Sequence, residues 1–146
     1  MRPPTTRTAR VYLAALGMLV LLVGCSNQEV ATLGEPGDPA EVDRTVAVTA
    51  EEFSFDPDSV DVSVGDTIEF EITNEGQSQH EFAIGTQHEH DPGMAHDASS
   101  GGTGPINPGE QSTLVWTFTE AGETSFACYI AGHNEQGMTG TITVSE

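Results

Sequence analysis

Lysine is absent from this chain, and arginine occurs only as Arg2, Arg7, Arg10 and Arg44, against 23 aspartates and glutamates. Three of the four arginines lie in the first ten residues, where there is no acid; without them the formal charge moves from −19 to −22. Such a surface repels phosphate backbones and anionic membranes, which excludes nucleic acid and lipid headgroups as electrostatic partners. Two readings of the charge remain open: a protein partner with a basic docking surface, or solubility at high salt.

Long hydrophobic runs are also missing. The apolar stretch at 11–23 spans 13 residues, short of the roughly 20 a membrane-crossing helix needs. It follows the basic "MRPPTTRTAR" and ends in "LVGC", the layout of an export signal. That ending is similar to a bacterial lipobox, in which Cys25 becomes the lipidated first residue of the mature protein. The alternative is an ordinary cleaved signal with an incidental cysteine. Residues 1–25 are therefore expected to be a lipoprotein signal peptide, with the protein extracytoplasmic and touching the membrane only through its lipid anchor. Residues 26–43, "SNQEVATLGEPGDPAEVD", are acidic, punctuated by Pro and Gly and poor in apolar residues. They are expected to form a flexible tether.

Cysteine is nearly absent too. With Cys25 lipidated, Cys128 has no partner for a disulfide. An unpaired thiol in an oxidising compartment is either a liability or a ligand.

What is present from residue 44 to 146 is period-two alternation. Val46 and Val48, Phe53 and Phe55, Val60, Val62 and Val64, Ile68, Phe70 and Ile72, His80, Phe82 and Ile84, Leu114, Trp116 and Phe118, Phe126 and Cys128, and Ile142 and Val144 each fall on one face of a short segment. Gly, Pro, Asn and Asp separate the segments, and no sustained helical period appears. Half-buried strands give this pattern. About seven of them in one domain predict an all-β fold, a Greek-key β-sandwich or barrel. Residues 85–105 break the rhythm, with no apolar alternation and with His88, His90, Met94 and His96 among Gly, Ser and Asp. Loops of this length without their own structure are uncommon and often functional.

The segment "CYIAGHNEQGM" places Cys128, His133 and Met138 at even intervals. Two imidazoles and a thiolate with a weak axial thioether make a blue-copper electron-transfer site. The second imidazole has to come from elsewhere, and His80 is the candidate, since it shares a strand face with Phe82 and Ile84. The plain alternatives are a small buried cysteine, a loop histidine and a packing methionine.

On "NEGQSQHEFAI" and "PGEQSTLVWTFTEAGETSFACYIAGHNEQGMTGTITV" the chain resembles the cupredoxins, the small blue-copper proteins that include plastocyanin, azurin and auracyanin. The C-x4-H-x4-M spacing is similar to the auracyanin type. The resemblance implies a cupredoxin-like fold and one type 1 copper site, cycling between Cu(I) and Cu(II), with His80, Cys128, His133 and Met138 as ligands. It also implies one-electron transfer with a redox partner protein rather than enzymatic turnover. The alternative expectation is copper tolerance, sequestration or delivery, with a second, weaker copper site in His88, His90, Met94 and His96. A metal-free β-sandwich adhesion module is the reading from a different class.

Overall fold

The computed structural model describes residues 32–85, 96–130 and 132–146. The strands are β1 (Gly34–Pro36), β2 (Arg44–Glu51), β3 (Ser54–Asp56), β4 (Ser59–Ser63), β5 (Thr67–Asn74), β6 (Ala83–Ile84), β7 (Gln111–Phe118), β8 (Gly122–Ala127) and β9 (Thr139–Ser145). They form two sheets, in the orders β1-β7-β5-β2-β3 and β4-β9-β8-β6. The pairs β2–β5 and β4–β9 are parallel, and the others are antiparallel. The fold is all-β, as the alternation predicts. Among the described residues no helix is long and apolar enough to cross a membrane.

Alternation explains which face of each strand is buried. In β5 the side chains of Ile68, Phe70 and Ile72 are fully buried, whereas Glu71 is exposed. Leu114, Trp116 and Phe118 of β7 and Ile142 and Val144 of β9 follow the same rule. Between the sheets lies an aromatic cluster. Phe82 meets Phe126 with ring centroids 4.8 Å apart and Phe70 at 5.2 Å, and Phe55 packs edge-on to Phe126 at 5.4 Å. Each such pair adds about 0.5–1.5 kcal/mol beyond the area it buries. Gly140, opposite Phe126 in the β8–β9 register, makes room for that ring. A Cβ on Gly140 would collide with Phe126 and stand 2.6 Å from the Asp58 carbonyl.

The structure departs from the sequence expectations in four places. The tether expected over 26–43 does not run that far. Leu33 is buried, Gly34–Pro36 pair with β7, and the Gly37 amide donates to the Val115 carbonyl at 3.0 Å. Only three residues pair, too few to show as alternation. Residues 1–31, including Cys25 and the expected signal peptide, lie outside the described residues. Val64 is 42% exposed rather than inward-facing, because β4 stops at Ser63 and the chain turns at Gly65 with φ 94°. Phe53 is not in a strand but in the β2–β3 turn with φ 65°. Finally, the loop expected over 85–105 is built from His96 onward. Asp97 caps a short 3-10 helix at Ala98–Ser100, and Thr103 and Ile106 hydrogen-bond to Phe82 and His80.

Candidate metal centre

His80 comes from the connection between β5 and β6. Its amide donates to the Ile106 carbonyl at 3.1 Å and its carbonyl accepts from the Ile106 amide at 2.7 Å, so a two-bond antiparallel bridge holds the backbone here. The preceding turn is held by Asn74, fully buried at the end of β5. The Asn74 amide nitrogen donates to the carbonyls of Ser78 and Ile106 at 2.8 and 2.9 Å, and its oxygen accepts from Gly76 N at 2.9 Å. A buried amide with its groups satisfied fixes one loop conformation.

Cys128 directly follows β8, and Met138 directly precedes β9. The His133 amide donates to the Ile130 carbonyl, and the His133 carbonyl accepts from the amides of Gln136 and Met138. A 3-10 helix at Asn134–Gln136 ends at Gly137, whose φ of 98° reverses the chain into β9. Tyr129 N donates to the Glu81 carboxylate at 2.9 Å, which ties the Cys128 loop to the segment carrying His80.

These clamps bring the donors together. His80 Nδ1 lies 3.2 Å from His133 Nδ1, and Cys128 Sγ lies 3.5 Å from His133 Nδ1. All three donor atoms fall within 4.8 Å of one another, the only such group of His, Cys or acidic donors among the described residues. His80, Cys128 and Met138 are fully buried and His133 is partly exposed. Metal–nitrogen and metal–sulfur bonds of roughly 2.0–2.3 Å put the donors of one ion about 3–4 Å apart, a spacing that both distances from His133 Nδ1 match. Copper therefore fits the residues present: two ring nitrogens and a sulfur face one another, with His80 and Cys128 fully buried and His133 partly so.

Burial sets the proton affinities. It pushes the Cys128 thiol above its ordinary range and outweighs the nearby hydrogen bonds. It also lowers His80 below 6.5, helped by His133 and opposed by the Glu52 carboxylate. Both groups are thus held neutral in the metal-free protein. A bound metal reverses the thiol's preference, because a coordinating thiol loses its proton.

Of the loop residues expected to bind a second ion, His88, His90 and Met94 lie outside the described residues. His96 is buried, with Nδ1 2.9 Å from Glu81 Oε1 and its ring edge-on to Tyr129 at 5.4 Å. Through Glu81 and Tyr129 it packs beside the segment that carries Cys128. Sequence reasoning missed Glu52, Glu81, Asn74 and Phe53. Glu81 had one signal, its position next to His80, and Asn74 opens the same "NEGQSQHEFAI" stretch; Glu52 and Phe53 are distant in sequence and meet the centre only through the fold.

The fold and the donor set together define a copper protein of the cupredoxin class. The chain belongs to the cupredoxin-like domain family, whose model matches residues 13–144. It is 38% identical to a copper-resistant cuproprotein, CopI, of Rubrivivax gelatinosus, over 76% of this chain and 72% of that one. It is 30% identical to CopI of Pseudomonas aeruginosa, over 92% of this chain and 97% of that one. Among solved structures it resembles the reduced auracyanin of Roseiflexus castenholzii, with a TM-score of 0.62 and 22% identity, covering 72% of this chain and 99% of that one.

Proposed function

We propose that His80 Nδ1, Cys128 Sγ and His133 Nδ1 would hold one copper ion, with Met138 as a fourth, weaker donor, and that the protein serves copper tolerance outside the cytoplasm. The observation that carries the copper site is the convergence of the two Nδ1 atoms and the thiol within 4.8 Å. The tolerance role draws support from the relatives named copper-resistant cuproproteins. When bound, the ion supplies one-electron chemistry between Cu(I) and Cu(II).

The chain's own residues do the rest. The Cys128 thiol gives up its proton on binding. The clamps through Ile106, Asn74 and Glu81 would hold the donors of a bound ion in one arrangement, and the burial of His80, Cys128 and Met138 would limit the approach of water to it. No general base or nucleophile is assigned, and the protein acts without enzymatic turnover. The basic segment and apolar run ending at Cys25 direct export and lipidation.

Adding Cu(II) to the purified chain should produce an intense visible band that Cys128→Ser abolishes. Cells carrying Cys128→Ser in place of the parent should grow worse in copper. A band that survives the substitution would refute the site, and unchanged growth would refute the tolerance role. Labelling with a fatty acid that Cys25→Ser prevents would test the anchor.

A second reading is an electron relay to a protein partner. The partly exposed His133 favours it, since that imidazole reaches toward solvent from an otherwise buried set. The acidic surface suits a basic docking face. Electron exchange with such a partner should then slow steeply with added salt.

A further inference from the structure

The β2–β3 turn crosses the metal centre and presents one side chain to each imidazole. Phe53 sets its ring edge-on to His133 at 5.2 Å, and Glu52 brings Oε1 to 3.7 Å from His80 Nε2. His80 Nε2 is buried and has no hydrogen-bond partner within normal range, although its ring is fully enclosed. A buried ring N–H without an acceptor is costly, and among the described residues the carboxylate set against this one is that of Glu52.

Glu52 is not there by chance of rotamer. Its Oε1 accepts from Gln77 N at 2.6 Å and Ser78 N at 2.8 Å, which fastens the carboxylate to the turn leading into His80. Gly76 completes the junction. A Cβ at that position would stand 2.7 Å from Glu52 Oε1 and 2.8 Å from His80 Nε2, wedged between carboxylate and ring. The absence of a side chain at residue 76 lets the two groups face each other directly. The remaining gap exceeds an N–H···O hydrogen bond by roughly 0.5 Å.

We propose that Glu52 is the positioning residue for His80, receiving the Nε2 proton in a hydrogen bond and so fixing the tautomer that leaves the Nδ1 lone pair free for copper. An imidazole offers one nitrogen as donor and the other as acceptor, and the partner of the first decides which. A carboxylate behind a metal-binding histidine fixes the ring and raises its basicity. The same negative charge favours Cu(II) over Cu(I). This inference rests on the assignment of His80 as a copper ligand.

The test uses the full chain, first without metal. Long-range proton–nitrogen NMR of the histidine rings should show His80 protonated on Nε2 and bare on Nδ1. An Nδ1–H form in the parent protein overturns the inference without any variant. Glu52→Ala should give a mixture of the two tautomers and a Cu(II) affinity lower by about 10–100-fold, measured by competition with a chelator. Glu52→Gln keeps an acceptor oxygen and should restore the single tautomer, with a smaller loss of affinity. A single Nε2–H tautomer in Glu52→Ala, or a loss in Glu52→Gln as large as in Glu52→Ala, overturns the proposal. A purely structural role for Glu52 would lower thermal stability and leave the tautomer alone. His80→Ala separates the two levels: copper affinity unchanged there defeats the ligand assignment itself.

Discussion

The amide of Cys128 donates to the carbonyl of Met138 at 3.1 Å. This one bond closes the loop that carries three of the four proposed copper ligands, and it sits where β8 ends and β9 begins. The two sulfur-bearing residues are therefore fixed to each other by backbone before any metal arrives. A loop pinned in this way should resist widening if a bound ion changes oxidation state.

Met138→Leu follows from that pinning. Leucine fills similar volume without the thioether, and the loop is closed by backbone rather than by the sulfur. The intense visible band should persist, and the reduction potential should rise, because a weak axial donor to Cu(II) is lost. Redox titration checks it, and a colourless product would remove Met138 from the axial position.

The metal-free protein should lose stability in acid through His80. Its proton affinity in the fold lies below the ordinary 6.5, chiefly because of burial. The unfolded chain therefore binds the proton more readily, so stability rises with pH up to about 6.5 and is lost as pH falls through the folded value. Denaturant midpoints of the metal-free protein between pH 5 and 7, compared with His80→Ala, would reveal this slope, and the variant should flatten it.

His96→Ala removes the partner of Glu81 at 2.9 Å from a site where both side chains are only 7% exposed. Leaving one buried polar group short of a bond should lower stability by about 1–3 kcal/mol. Because Glu81 also accepts from Tyr129 N beside Cys128, the visible spectrum should shift as well. An unaltered spectrum with unaltered stability would show that His96 supports neither.

Leu33→Ala tests where the domain begins. Leu33 is 7% exposed, and its carbonyl accepts from the amide of Thr119 at 2.9 Å. Truncating it should lower stability by about 2–4 kcal/mol. A true tether residue would show no effect in the same denaturant titration.

Much of this was legible before any coordinates. Inward-facing positions such as Ile68, Phe70 and Ile72 announce themselves because a strand's side-chain period is fixed at two. Cys128, His133 and Met138 were legible because one loop carries all three, and His80 because few histidines lie on an apolar face. Glu52 and Asn74 were not, since a polar residue at a strand end gives the same pattern whether it faces water or a buried ring. The pairing of Leu33 and Gly34–Pro36 with β7 was hidden for another reason. Its segment is too brief to show a period and is surrounded by residues typical of linkers. The burial of His96 is hidden because composition there reads as an open loop, whereas a capping box at Asp97 and a buried carboxylate at Glu81 fold it inward.

The last strand, β9, lies in the interior of its sheet between β4 and β8. Residues 139–145 must therefore be synthesised and threaded into place before that layer can close. Without these residues β4 has no neighbour in the sheet and β8 keeps only β6. Copper capture by the site proposed here should therefore wait until residues 139–145 are in place, because their pairing with β8 and β4 anchors the far end of the loop that carries Cys128, His133 and Met138.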